Sequence, residues 1–289
     1  MTIRECLKSA EKELQDNSIN DSGYDAFSLL NYVTGISKTD YIFRQSEDID
    51  ENDLTRFNEL VRRRASHVPL QHITGYQNFF GYDFIVSPDV LIPRQDTEVL
   101  VELVLNTAKT YDSVNILDMC TGSGCIAVSI YLELTRQGKK CDITAVDISR
   151  PALDIAKRNI TKLTPNEDAI KLIESDMFDN IRNVKYDIIV SNPPYIPRAD
   201  IDKLDDEVRI YDPITALDGG DDGLMFYQRL IRQGRDYLKD NGYLFMEMGY
   251  NQGDDITHIM KESGFTDIII HKDLSGLDRV IGGIKCSIN

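Results

Sequence analysis

An α/β fold, a parallel doubly wound sheet preceded by a small helical bundle and a β-hairpin linker, is what the sequence predicts, and three observations carry it. From residue 114 onward, apolar β-branched runs alternate with segments of helical period, the pattern of strands each returned by a helix. Residues 1–74 show helical periodicity only. Between Gly75 and Val90 the aromatic and β-branched residues cluster around Gly81, which reads as a hairpin with a glycine turn. The expected organisation is therefore a helical domain over 1–74, a linker over 75–91 and an α/β domain over 92–289.

In chain order, Thr2-Ile3-Arg4-Glu5 fits a capping box, and Ile3, Cys6, Leu7, Ala10 and Leu14 form one helix face. A second helix covers Tyr24 to Thr34 and stops at Gly35. Asp50 caps a third, with Leu54, Phe57, Leu60, Val61 and Ala65 on one side. Its Arg62-Arg63-Arg64 run reads as a solvated face. Leu91 to Glu98 leads into a helix carrying Leu100, Leu103, Val104 and Ala108, with Asp96 as its cap. Strands follow at Val114–Leu117, Cys141–Val146, Ala169–Ile173 and Tyr186–Val190, with helices after the first at Cys125 and after the second at Pro151–Ile160. Helices near 224–238 and 254–263 and strands near 243–247, 268–271 and 279–285 complete the same sheet. The acidic stretch from Asp200 to Gly223 reads as a long loop, a lid or a partner contact.

Composition narrows the function. A formal charge of -16 disfavours sequence-independent nucleic-acid binding, and no apolar run approaches membrane-spanning length. A cytoplasmic location without membrane association is expected. The five cysteines contain no CxxC, and the four histidines share no ligand spacing, so structural thiols and no metal are expected.

The chemistry gathers at strand ends, where open α/β sheets bind ligands. After Tyr186–Val190 comes Ser191-Asn192-Pro193-Pro194-Tyr195. The two prolines remove backbone donors and stiffen the peptide, Asn192 adds an acceptor, and the Tyr195 ring supplies a flat cover. This stretch suits a planar amino or amide group. Thr121-Gly122-Ser123-Gly124 after the first α/β strand suits a nucleotide-like cofactor, and Asp147 at the end of the next suits a ribose. Gly122-x-Gly124-x-x-Ala127 leaves NAD and S-adenosylmethionine in competition. Three features favour the latter. Asp118 ends its strand where a cationic ligand could reach it and pyrophosphate would be repelled. Asp176 and Phe178 suit an adenine amino group and face. The Asn192 clamp lies next to the same crevice.

At this point the sequence resembles the HemK/PrmC family, the peptide chain release factor N5-glutamine methyltransferases. The likeness rests on Pro69–Gly75, Ile92–Glu98, Asp118–Ala127, Ala145–Asp147, Ser175–Phe178, Asn192–Ile196 and Asp212–Leu217, and covers nearly the whole chain. It implies a Rossmann-like methyltransferase domain using S-adenosyl-L-methionine, and N-terminal helices that dock class 1 release factors. The acceptor would be the glutamine of their Gly-Gly-Gln loop. By resemblance, Cys120 to Gly124, Asp147 and Met177 line the cofactor, joined by Asp118, Asp176 and Phe178. Asn192, Pro193, Pro194 and Tyr195 hold the glutamine, and Arg94 and Glu98 are further substrate-side candidates, although both also read as simple helix-start electrostatics. The chain departs from the family at Cys120, where Gly is common, at Met177, where an aromatic is common, at Gln95 and at Asp212. The Cys120 side chain is tolerable there unless φ is positive.

An amide nitrogen is a poor nucleophile, and neither Asn192 nor the Pro193 carbonyl is a strong base, so positioning is expected to carry the reaction and no general base is assigned. Two rival readings stand beside it: a nucleic-acid amino methyltransferase acting on adenine N6 or guanine N2, and a non-catalytic protein that binds a translation factor. The first needs a basic groove that the sequence does not offer near the clamp. A monomer is expected.

Overall fold

The computed structural model describes residues 1–182 and 184–286. These cluster into two compact units, Met1–Tyr76 with Asp205–Tyr211, and the rest of the described chain.

In the helical unit, α1 (Ile3–Asp16) starts at the expected capping box, with the Glu5 N–H donating to Thr2 Oγ1 at 3.3 Å and the Thr2 N–H to Glu5 Oε2 at 2.9 Å. α2 (Ser22–Thr34) stops at Gly35, whose φ of 71° is the left-handed cap that glycine adopts without a Cβ clash. α3 (Lys38–Arg44) and α5 (Leu70–Thr74) flank α4 (Glu51–Ala65), which Asp50 caps. Cys6, Leu14, Leu29, Leu30, Phe57 and Val61 meet in one core. The arginine run is corrected in one position: Arg64 is buried. Its Nε donates to Asp25 Oδ2 at 2.6 Å, its Nη2 to Glu207 Oε1 at 2.6 Å and its Nη1 to the Val68 carbonyl at 3.2 Å. Burial raises the Asp25 carboxyl against the pull of that guanidinium.

From Gln77 on, the second unit takes in a hairpin, β1 (Tyr76–Phe79) and β2 (Tyr82–Ile85), turning through Phe80 and Gly81 at φ 52° and 81°. Phe79 and Phe84 are fully buried in the α/β core, so the hairpin is packed against that unit. A 3-10 turn at Gln95–Thr97 leads into α6 (Glu98–Ala108), and Asp96 sits inside this turn without a capping bond, which corrects its expected role. Then follow β3 (Ser113–Met119), α7 (Cys125–Arg136), β4 (Lys140–Asp147), α8 (Arg150–Leu163), β5 (Ile170–Glu174) and β6 (Tyr186–Ser191). The acidic stretch is not one open loop: it holds 3-10 turns at Arg198–Lys203 and Ile214–Ala216 and a single helical turn, α9 (Asp206–Arg209). α10 (Met225–Tyr237), β7 (Leu238–Glu247), α11 (Gly253–Glu262), β8 (Phe265–Lys272) and β9 (Asp278–Lys285) end the described chain.

The seven strands lie in the order β5-β4-β3-β6-β7-β9-β8. The first five are parallel to their neighbours, but β9 is antiparallel to both β7 and β8, so the sheet is mixed and not wholly parallel. Only a short turn separates β8 from β9, and a parallel pair needs a crossover of a dozen or more residues. Strand alternation divides the core. Ile116, Ile143, Ile188 and Val190 face α6 and α7, while Leu117, Met119, Ile189 and Met246 face α10 and α11.

Removing one partner of a buried, hydrogen-bonded ion pair leaves the other charge uncompensated. Arg64→Ala should therefore destabilise the helical unit by about 3–5 kcal/mol. Arg62→Ala and Arg63→Ala, at exposed positions, should stay within about 0.5 kcal/mol in the same denaturation experiment.

Candidate active site

The strand registers bring the chemistry together. Met119 on β3 lies opposite both Ser191 on β6 and Val146 on β4, and Ser191 lies opposite Met246 on β7. The strand order reverses between β3 and β6, the point at which open α/β sheets form a crevice. A cavity of about 380 Å³ opens there, lined by the segments that follow β3, β4, β5 and β6 and by residues 89–97 and 213–218.

The glycine loop leaves β3 at Cys120. Gly122 lines the cavity at φ 55°, and an added Cβ would meet no atom within 4 Å, so the backbone faces space that a ligand can enter. Gly124 has a different task. A Cβ there would come within 3.2 Å of the Ala156 Cβ, so this glycine lets α7 and α8 pack closely and is not part of the cavity wall. Thr121 and Ser123 line the cavity.

Asp118 is corrected: it is fully buried and does not reach the cavity. Its Oδ2 accepts from Thr121 Oγ1 at 2.6 Å and from the Ala127 N–H at 3.2 Å, which ties the loop to the first turn of α7. Burial pushes its carboxyl up to about 7, beyond what these two bonds restore.

Two lining residues, Cys120 and Met177, have φ of 62° and 51°. Left-handed backbone costs a side chain with a Cβ roughly 1–2 kcal/mol. The condition under which Cys120 is problematic is thus met, and the fold carries that strain at two of the four family departures, Cys120 and Met177. Burial keeps the Cys120 thiol protonated.

Asp147 lines the cavity. Its Oδ2 accepts from the Gly122 N–H at 2.8 Å and its Oδ1 from the Ser149 N–H at 2.9 Å, leaving a second lone pair on each oxygen for ligand hydroxyls. Burial raises this carboxyl, while the backbone N–H groups of Ser149 and Gly122 pull it down. Asp176 also lines the cavity, ion-paired with Arg229 at 2.8 Å. Phe178 does not: its ring is buried and stacks on Tyr237 at 4.7 Å, so its role is in the core.

At the end of β6, Asn192 and Pro194 line the cavity, whereas Pro193 and Tyr195 lie outside its wall. Asn192 Nδ2 donates to Thr97 Oγ1 at 3.3 Å, and Thr97 Oγ1 donates to Glu247 Oε2 at 2.6 Å. The Tyr195 hydroxyl donates to Glu247 Oε1 at 3.4 Å. Glu247 is buried, and burial pushes its carboxyl up to about 7, with Arg279 lowering it and Asp96 raising it. The Tyr195 carbonyl accepts from Gln252 Nε2 at 3.0 Å, and a Cβ on Gly223 would fall 2.4 Å from that oxygen, so the 219–223 loop needs glycine to pack behind it.

Arg94 lines the cavity and donates to buried Asp212 at 2.6 Å. Both lining arginines, Arg94 and Arg229, are paired with carboxylates and so form no open basic groove. Glu98 is corrected: it lies outside the cavity wall and accepts the Phe80 N–H at 2.8 Å, anchoring the hairpin. Thr97, Glu247 and Gln252 were not legible as site residues. The available signals were a hydroxyl beside Asp96 and a lone carboxylate closing an apolar strand.

Residues 5–75 match the PrmC N-terminal domain model and residues 94–206 the methyltransferase small domain model. The chain is 37% identical over 282 residues to a release factor glutamine methyltransferase of Geobacter sulfurreducens, spanning 98% of this chain and 96% of that one. It is 36% identical over 289 residues to the corresponding protein of Clostridium acetobutylicum, spanning 99% of each. Among solved structures, the protein-(glutamine-N5) methyltransferase (release factor-specific) of Alicyclobacillus acidocaldarius is 33% identical, with a TM-score of 0.41 over 71% of this chain and 100% of that one.

The left-handed backbone at Cys120 predicts that Cys120→Val, which adds β-branching, lowers stability by about 1–3 kcal/mol, whereas Cys120→Gly is neutral or stabilising in thermal melts. Asp118 titrates higher folded than unfolded, so its contribution to stability is full below its unfolded pKa and is lost as pH rises through about 7. Asp118→Asn should flatten the fall of the melting temperature across that window.

Proposed function

The chain belongs to the release factor glutamine methyltransferases, and we propose that it methylates the side-chain amide nitrogen (N5) of the glutamine in the Gly-Gly-Gln loop of class 1 peptide chain release factors. The single observation that carries this is that the Gly122 backbone, Asp147 and the Asn192 amide line one cavity. A cofactor seated on the first two therefore meets an amide held by the third.

The cavity residues fit S-adenosylmethionine. Gly122 faces open space, the Asp147 oxygens have lone pairs to spare for ribose hydroxyls, and Asp176 lies in the same wall. When bound, this cofactor supplies an electrophilic methyl on a cationic sulfur. The protein's task is then to present a nitrogen whose lone pair is delocalised into its carbonyl. Asn192, which lines the cavity, accepts one N–H of that group, and the family resemblance assigns the second to the carbonyl of Pro193, the residue between the lining Asn192 and Pro194. Together they favour the geometry in which conjugation is weakened. Glu247, the carboxylate behind Asn192, is buried and lies outside the cavity wall, with Thr97 between it and Asn192, so it is no base for the amide, and the proton departs to solvent. Positioning of this kind can supply roughly 7–11 kcal/mol of barrier reduction.

In this reading the N-terminal helices, residues 1–74, dock the release factor and the α/β unit carries the transfer. Among the described residues no helix is long and apolar enough to cross a membrane.

Mass spectrometry of an unmethylated class 1 release factor after incubation with the protein and S-adenosylmethionine tests the proposal. One added methyl on the Gly-Gly-Gln glutamine is expected, with the rate cut at least ~100-fold in Asn192→Ala. An unmodified release factor beside methylated DNA or tRNA from the same incubation would overturn the substrate assignment.

A further inference from the structure

Asn192 can hold a substrate amide only if its own amide faces the right way. Its two ends are nearly the same size and opposite in polarity, and a half-turn about χ2 exchanges an acceptor for a donor. A substrate NH2 needs the Oδ1 end. Among the described residues, the side-chain hydrogen bond that fixes Asn192 is to Thr97 Oγ1, and a hydroxyl can donate or accept, so Thr97 alone does not choose. Glu247 does. At 2.6 Å its carboxylate takes the single hydroxyl hydrogen of Thr97, which leaves Thr97 Oγ1 only as an acceptor toward Asn192, so the neighbour at 3.3 Å has to be the NH2 end.

We propose that Glu247 is a positioning residue which, through Thr97, fixes the Asn192 amide with its carbonyl presented to the substrate glutamine. The inference rests on the release factor reading for the identity of that substrate but not for the coupling between the three side chains. A neutral Glu247 would break the chain of polarity. A protonated Oε2 donates to Thr97, the Thr97 hydroxyl hydrogen turns to Asn192, and the Oδ1 end is drawn away from the substrate.

The surroundings of Glu247 set how easily this happens. Burial raises its pKa to about 7. From β9, Arg279 lowers it, while Arg279 is itself shared with Asp96 at 3.5 Å and Asp273 at 3.0 Å. Asp96 raises it from the turn before α6, and the Tyr195 hydroxyl lowers it. Tyr227 from α10 donates to the Glu247 backbone carbonyl at 3.0 Å, and its phenol is held protonated by burial. At the start of α7, burial likewise holds the Cys125 thiol protonated, pushing it up to about 12. The charged state of Glu247 thus depends on burial, which raises its pKa, against the Thr97 hydrogen bond first and Arg279 second, with Asp96 raising it further. Its carboxyl sits above its ordinary range, so the anion, and with it the oriented clamp, is present above about pH 7 and is lost as pH falls.

Two measurements test this. In 1H–15N spectra of the protein without substrate, the Asn192 side-chain NH2 signals, assigned by their loss in Asn192→Ala, should shift as pH passes through about 7 in the wild type. They should stay still in Glu247→Gln. In the methylation assay, wild-type kcat should show an acid limb in the same range, while Glu247→Gln should lose the limb and at least ~10-fold in kcat. Affinity for S-adenosylmethionine should be unchanged. Thr97→Ser should keep kcat within ~3-fold, whereas Thr97→Val should lose as much as Glu247→Gln. Stationary Asn192 signals in the wild type, or full activity in Thr97→Val, would overturn the proposal. Should Glu247→Gln not fold, the wild-type titration and the Thr97 pair still decide. A wild type that leaves the release factor unmethylated would overturn the substrate assignment, and the spectra would decide the coupling.

Discussion

Hydrogen bonding between β3 and β6 puts Met119 opposite Ser191, and the site depends on that register. The residues that follow, Cys120 and Asn192, leave the sheet side by side, one toward the glycine loop and the other toward the clamp. Ser191 reinforces the match by donating its hydroxyl to the Met119 carbonyl at 2.7 Å, a bond buried between the two strand ends. On the far side of β6, Ser191 pairs with Met246, so Glu247 emerges one residue beyond and can stand behind Asn192. Slipping β6 by a single residue would turn Asn192 to the opposite face and separate it from both partners.

The loops around this register carry costs that the core offsets. Cys120 and Met177 hold left-handed backbone, and Asp118 and Glu247 bury carboxyls. Each is tolerable because the flanking structure over-determines it. Asp118 is bound by Thr121 and Ala127, and Glu247 by Thr97 and Tyr195, so these acids act as hubs for loops that no strand ladder reaches. The strand faces beneath them are apolar and nearly inaccessible to water, which keeps the hubs in a medium where a single hydrogen bond decides an orientation.

What the sequence made legible was whatever repeats or stands alone at a strand end. Helix faces such as Cys6, Ala10 and Leu14 and strand runs such as Tyr186–Val190 follow from periodicity, and Gly122, Asp147 and Asn192 follow from their place after such runs. Arg64 escaped notice because its two exposed neighbours give the run the look of a surface, and its partner Glu207 is far away in sequence. α3 buries none of its residues and so shows no apolar stripe in the sequence, although Ser37 and Asp40 form a capping box. Asp118, Phe178 and Glu98 were placed on the cavity because sequence order cannot tell which way a side chain leaves the chain. For Glu98 a hairpin N–H, and for Phe178 a stacked tyrosine, took the side chain instead.

The same limit applies with most force to Thr97 and Glu247. Nothing local marks either one, since a threonine before a helix is an ordinary cap and a glutamate at a strand end an ordinary solvated tip. Their significance arises only when the fold places a hydroxyl between a carboxylate and an amide. A strong base would be poorly suited to this chemistry, because an amide N–H is too weak an acid to be deprotonated before attack. What helps is an acceptor whose lone pair points at the N–H throughout the change from planar to tetrahedral nitrogen, without reorganisation at the moment of reaction. A freely rotating asparagine would present that lone pair only part of the time. Burying one carboxylate one residue beyond the clamp register, and linking it through a hydroxyl that has a single proton to give, converts a two-faced side chain into a one-faced acceptor.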